Sequence, residues 1–164
     1  MPQRERVAII GAGHVGATTA YALMLRALFR EIVLIDSDAA LAAAEPADLS
    51  DANALARPAK IWAGTYTDAA SAKIAIITAG AATHGAQTRP SVAAQSADIV
   101  AGCAKQLASA GFGGVLVVAN PVDLMALTAF RHGSARIGRK SPKTVIRRVR
   151  SETSVSVGSG HRLS

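Results

Sequence analysis

Val7-Ala8-Ile9-Ile10-Gly11-Ala12-Gly13-His14-Val15-Gly16-Ala17-Thr18-Thr19-Ala20-Tyr21-Ala22-Leu23 decides how the rest of this 164-residue chain is read. Val7 to Ile10 is a short, continuously apolar run, the pattern of a parallel strand buried on both faces. A glycine turn follows at once, and Ala17 to Leu28 reads as a mostly apolar helix. Strand, G-x-G-x-x-G and helix in that order give the motif the context it needs. Gly11 lets the chain turn off the strand, and Gly13 lets a phosphate approach the backbone. Gly16 lets the helix pack closely, and the helix N-terminus offers free N–H groups and partial positive charge to an anion. The stretch lies within 19 consecutive uncharged residues between Arg6 and Arg26. Three glycines, His14 and two threonines interrupt them, so it reads as a strand–turn–helix rather than a membrane span or secretory leader.

A second element answers the glycines. Glu31 to Asp36 is a strand ending in a carboxylate, and Asp36 stands 20 residues after Gly16. An acid at that spacing bonds the ribose hydroxyls of NAD and repels the 2′-phosphate of NADP. The expected cofactor is therefore NAD, with Gly11, Gly13, His14, Val15, Gly16 and Asp36 around it.

The remaining chain alternates in the same way. Ala39–Ala44 reads as a short helix, and Glu45-Pro46 starts another, with proline tolerated in a first turn. Ile61–Gly64, Lys73–Thr78 and Val115–Ala119 are further strands; Tyr66-Thr67-Asp68 is a turn. The residues from 79 to 90 form a loop rich in small and polar residues, Ser91–Ala110 a long helix, and Asp123–Phe130 the start of another. Apolar strands alternating with helices predict an α/β doubly wound parallel sheet of the Rossmann type.

Charge divides the chain. Its formal net charge is +7, but residues 1–130 hold nine Lys/Arg against ten Asp/Glu, and residues 131–164 hold nine against Glu152 alone. The excess lies wholly in a Ser/Arg-rich stretch without helical periodicity. The expected division is therefore a dinucleotide-binding domain over 1–130 and a basic, mostly disordered tail over 131–164. Without an aromatic residue the tail has no base-stacking platform, which argues against nucleic-acid binding. The single Cys103 cannot form an internal disulfide, which makes the cytoplasm the default compartment. No cluster of ligating residues points to a metal.

With the glycine loop, Asp36, Thr78-Ala79-Gly80, the loop before Arg89 and Asn120-Pro121-Val122-Asp123 together, residues 5–130 resemble the lactate/malate dehydrogenase family, closer to its L-lactate branch. The resemblance implies hydride transfer between NAD and a 2-hydroxy or 2-oxo acid, in proteins that are usually homo-oligomers. It implies that Ala79 and Gly80 lie against the cofactor and that Arg89 polarises the substrate carbonyl. It further implies that Asn120 contacts both nicotinamide and substrate. Thr83 stands where lactate enzymes usually carry Gln and malate enzymes Arg; it cannot pair with a second carboxylate, which disfavours malate. His84, in the same loop, reads as solvent-exposed.

The family's proton-donating histidine in Gly-Glu-His-Gly and its Leu-Asp-x-x-Arg clamp do not occur in the sequence, whose histidines are His14, His84, His132 and His161. The 164 residues are thus expected to bind NAD without turning over. The abrupt change at Arg131 leads us to expect a truncated sheet with an out-of-frame tail. A non-catalytic NAD-binding or interaction module is the alternative.

Overall fold

The computed structural model describes residues 5–53, 59–81, 88–112 and 114–133. Five strands, β1 (Arg6–Ile10), β2 (Glu31–Ile35), β3 (Lys60–Ala63), β4 (Ile74–Ile77) and β5 (Val115–Val117), form one parallel sheet in the order β3-β2-β1-β4-β5. Register is fixed by pairs such as Ile9↔Leu34 and Ile9↔Ile76 across β1, and Ile77↔Val117 beyond it. Alternate side chains feed two cores. Val7, Ile9, Ile32, Leu34 and Ile76 pack with Ala20 and Met24 of α1 (His14–Leu25) and Leu49 of α2 (Ala39–Ala52). Ala8, Ile10, Val33, Ile35 and Ile77 pack with Ala69 of α3 (Tyr66–Ala69), Val100 and Leu107 of α4 (Arg89–Ser109), and Met125 and Ala129 of α5 (Val122–Gly133). Helices on both faces explain why the strands are apolar throughout, and the doubly wound parallel sheet is the one expected.

Several local expectations are corrected. Ala39–Ala52 is one helix, not two, and Pro46 sits buried in its interior. Asp38 starts it, accepting the N–H groups of Ala40 and Leu41 at 2.9 and 3.2 Å. Burial of Ala42, Pro46 and Leu49 on one face outweighs the missing proline donor. Tyr66-Thr67-Asp68 belongs to a short helix rather than a turn, because the Asp68 carboxylate accepts the N–H of Thr65 at 2.9 Å and closes its first turn.

Thr88 caps α4, accepting from the Ser91 N–H, so Arg89 is the first residue of a helix and not part of the loop. β5 ends at Val117, two residues early. α5 continues to Gly133, three residues into the stretch read as tail; Met125 and Ala129 bury one face, and Arg131 and His132 lie favourably at its C-terminus. Residues 134–164, the rest of that stretch, lie outside the described residues, as do Thr83 and His84.

The ends of the strands opposite the glycine loop are tied by charge. Arg6 donates through Nε to Glu31 at 2.8 Å and through a terminal nitrogen to the Asp68 carbonyl at 3.0 Å, and its guanidinium lies 4.9 Å from the Trp62 ring centre. Lys73 pairs with Glu5 nearby. Among the described helices none is long and apolar enough to cross a membrane. Tyr21, Leu25 and Leu28 after or along α1, and Leu124, Leu127 and Phe130 along α5, remain exposed.

Candidate functional site

All five strands are parallel, so their C-terminal ends meet along one edge of the sheet, where β1 and β4 run to opposite windings of the chain. Crevices for ligands form at such a switch point. Gly11 follows β1, Asp36 follows β2, Gly64 follows β3, Thr78 and Ala79 follow β4, and Asn120 lies just beyond β5.

Gly11 has φ +105°, open to glycine at no steric cost. A Cβ there would also stand 2.7 Å from the Ala79 nitrogen, so the loop leaving β1 and the loop leaving β4 touch backbone to backbone. A Cβ at Gly16 would overlap the Gly11 carbonyl oxygen. The close approach required of Gly16 is therefore to the first glycine of its own loop. Around Gly13 the position of a Cβ is open space: nothing in the protein requires glycine there, and the room lies on the outer side of the turn. Gly13 is the N-cap of α1 and no side chain caps that helix, whereas Asp38 and Thr88 cap α2 and α4. His14 and Val15 in the first turn of α1 are exposed.

The Asp36 carboxylate accepts the Ala12 N–H through Oδ2 at 2.6 Å and the Asp38 N–H through Oδ1 at 2.9 Å. Oδ1 also accepts the Ser37 hydroxyl at 3.4 Å, and Oδ2 keeps a further lone pair, enough for a ribose hydroxyl. A cleft of about 510 Å³ opens beside it, lined by Gly11, Asp36, Ser37, Tyr66 and Ala79 and by one stripe of α4: Asp98, Ile99, Gly102, Cys103 and Gln106. Those α4 residues recur every three to four positions, which places them on one helix face. Volume, mixed lining and an acid at one end fit a nucleotide.

Tyr66 and Cys103 meet in the lining of the cleft. Burial, then a hydrogen bond with Cys103, pushes the Tyr66 phenol well above its ordinary range. Burial likewise raises the Cys103 thiol, against the opposing effect of Tyr66.

The structure thus brings Gly11, Asp36 and Ala79 to a single cleft; Gly13, His14, Val15 and Gly16 follow Gly11 in the turn and the start of α1 and do not line it. Gly80 is one residue further along, and a Cβ on it would meet Ser96 and Ala119, the neighbour of Asn120. Asn120 is exposed after β5, and Arg89 is exposed at the start of α4. The α4 stripe and Tyr66 were missed from the sequence. The 98/102/106 spacing was available, but spacing alone does not say which face of a helix meets a cleft. No metal-binding cluster of His, Cys, Asp or Glu occurs among the described residues.

Residues 5–140 match the family model of the lactate/malate dehydrogenase NAD-binding domain. The L-lactate dehydrogenase of Priestia megaterium is 38% identical over 126 residues, covering 76% of this chain and 40% of that protein. That of Thermus aquaticus is 38% identical over 127 residues, covering 77% and 41%. The chain therefore spans about 40% of the length of these relatives. Among solved structures, the ligand-bound minor L-lactate dehydrogenase of Enterococcus mundtii superposes with a TM-score of 0.77 at 32% identity, over 80% of this chain and 43% of that one. The malate dehydrogenase of Cryptosporidium parvum superposes at 0.72 with 27% identity, over 80% and 42%.

Proposed function

This chain belongs to the lactate/malate dehydrogenase family, matched over its NAD-binding domain, and from that premise we propose that it is the cofactor-holding part of an L-lactate-type dehydrogenase. The cofactor of this family's domain is NAD, whose nicotinamide exchanges a hydride with a 2-hydroxy or 2-oxo acid. The observation that carries the reading is Asp36 bonded to the glycine loop at the mouth of the cleft.

The roles of the chain's own residues follow. Gly11 and Gly16 let the start of α1 lie against the loop, so its first-turn N–H groups meet the pyrophosphate, and Gly13 leaves the space for it. Asp36 bonds the ribose hydroxyls and repels a 2′-phosphate. The backbone of Ala79 and Gly80 lies along the cofactor. Asn120, beyond β5, orients the nicotinamide and the substrate oxygen. Arg89 stabilises negative charge growing on the substrate carbonyl. Thr83 leaves no cation for a second carboxylate, so the preferred acids are monocarboxylic.

The 164-residue polypeptide by itself has no histidine in a Gly-Glu-His-Gly setting to protonate the forming alkoxide. It is proposed to bind NAD(H) and not to reduce pyruvate. The cofactor domain in this reading runs at least to the end of α5 at Gly133, past the boundary of 130 expected from charge.

Calorimetry with NADH and NADPH, beside an NADH-oxidation assay with pyruvate, tests both statements. NADH binding that is at least about tenfold tighter than NADPH binding is expected, a gap of about 1.4 kcal/mol, with no turnover. Equal affinity for the two cofactors removes the role given to Asp36, and steady oxidation of NADH removes the claim of inactivity.

A further inference from the structure

Two stretches of backbone each bring one residue to the lining of the cleft: the glycine loop after β1 through Gly11, and the segment after β4 through Ala79. The β1–β4 ladder ends at Ile10↔Ile77, so beyond it something else must hold the two stretches together. The N–H groups of Thr78 and Ala79 both donate to the Ile10 carbonyl at 2.9 Å. The Thr78 hydroxyl then reaches one residue further and donates to the Gly11 carbonyl at 2.9 Å, with the Ile10 carbonyl 3.1 Å away. That Gly11 carbonyl is the one against which Gly16 packs. Thr78 therefore joins β4 to the point where the loop touches α1.

The other end of the stretch is pinned from α4. Ser96 is 2% exposed, and Ser96 and Glu31 are the buried polar or charged residues among those described. Its Oγ accepts the Ala81 N–H at 3.0 Å, and the Gly80 backbone passes over it. A hydroxyl buried between helix and sheet is costly unless bonded; here it fixes the backbone that passes Ala119 next to Asn120. Neither Thr78 nor Ser96 lines the cleft itself.

We infer that Thr78 and Ser96 are positioning residues: the Thr78 hydroxyl holds the backbone leaving β4 against the glycine loop, and the Ser96 hydroxyl holds the same backbone against α4, which lines the cofactor cleft. The inference rests on the NAD reading above. Both act through main-chain groups, and neither touches the ligand.

The test uses the 164-residue chain with NADH as probe, and variants Thr78→Val, Thr78→Ser and Ser96→Ala. Thr78→Val keeps the side-chain volume and removes the donor. Measured well below each variant's melting temperature, Thr78→Val should weaken NADH binding about tenfold and Ser96→Ala about three- to tenfold, the effect of one buried hydrogen bond. Thr78→Ser should remain within about twofold of the unaltered chain, since it keeps the hydroxyl.

Amide hydrogen exchange without cofactor supplies a second readout. Thr78→Val should speed exchange at Gly11, Ala12 and Ala17, and Ser96→Ala at Ala81, with the amides of β2 and β3 unchanged. Folded Thr78→Val that binds NADH within twofold of the unaltered chain overturns the inference. So does exchange that accelerates evenly over all strands, the mark of lost stability rather than lost position. Failure of the unaltered chain to bind NADH rejects the cofactor reading instead, and the exchange pattern alone then decides this one.

Discussion

Asp36 holds the N–H of Ala12 through Oδ2 at 2.6 Å, so the residue expected to choose the cofactor also clamps the loop expected to cradle it. Asp36→Ser should therefore do two things at once. It should narrow the preference for NADH over NADPH, and it should weaken NADH itself by roughly 1–2 kcal/mol, because a charge-assisted hydrogen bond to the loop goes with it. Titrations with NADH, NADPH and ADP-ribose separate the two effects. A changed preference with undiminished NADH affinity contradicts the clamp.

Gly16→Ala should cost about 1–3 kcal/mol of stability, an overpacking penalty against a backbone oxygen that has nowhere to go. Gly13→Ala should leave stability nearly unchanged, since no atom lies within 4 Å of the added methyl, yet it should weaken NADH binding. Urea denaturation and cofactor titration on the same two variants give the comparison. Equal loss of stability at both positions would contradict the division of labour between the glycines.

The Arg6–Glu31 pair anchors the far ends of β1 and β2. Glu31 is buried and Arg6 also bonds the Asp68 carbonyl and Ser71. Arg6→Met should lower stability by about 1–3 kcal/mol, because it removes a charge-assisted hydrogen bond to a buried carboxylate together with the link to the Asp68 carbonyl. Adding Glu31→Gln should recover part of that loss. The cofactor edge lies at the other end of the strands, so NADH affinity should not change in either variant. A shift in affinity larger than about twofold, roughly 0.4 kcal/mol, counts against that separation.

Cys103 should alkylate slowly at neutral pH. Burial raises its thiol pKa, and only the thiolate reacts, so the reactive fraction grows only as pH climbs above the ordinary thiol range. Iodoacetamide labelling followed by mass spectrometry from pH 7 to pH 10 should show a rate still rising where a free thiol has levelled off. Saturating NADH should slow labelling further, because Cys103 lines the cleft. Rapid labelling at pH 7 would argue that the thiol is open to solvent.

The sheet was legible because its strands are short apolar runs punctuated by glycine, proline and acid, and such runs have few other uses in a chain this poor in aromatics. Gly11, Gly16 and Asp36 were legible for the same reason, since fixed spacing links them to a local turn. Pro46 misled because a helix can keep an interior proline when tertiary burial compensates, and burial is not written in the local sequence. Arg89 was placed in a loop because capping by Thr88 looks like ordinary loop composition. The α4 stripe and Tyr66 reach the cleft only through the packing of helices on the sheet, and Thr78 and Ser96 meet their main-chain partners only in the folded chain. Long-range packing of that kind leaves no local trace.

The strand order also sets a timetable. β1 pairs with β2 within the first 35 residues, but its other edge waits for β4, whose last paired residue is Ile77. At synthesis rates of about 5–20 residues per second, the 42 residues between Ile35 and Ile77 take roughly 2–8 seconds to emerge. For that interval β1, whose Val7 to Ile10 are buried in the finished sheet, has a bare side, and the glycine loop has no Thr78 to rest against. Nascent chains arrested with about 60 residues outside the ribosome should therefore be cut readily by protease within β1, and chains with about 125 outside should resist, because β1 gains its second neighbour only once β4 has emerged. The nucleotide cleft is born late for the same reason: one wall is made first and stands alone until the other arrives.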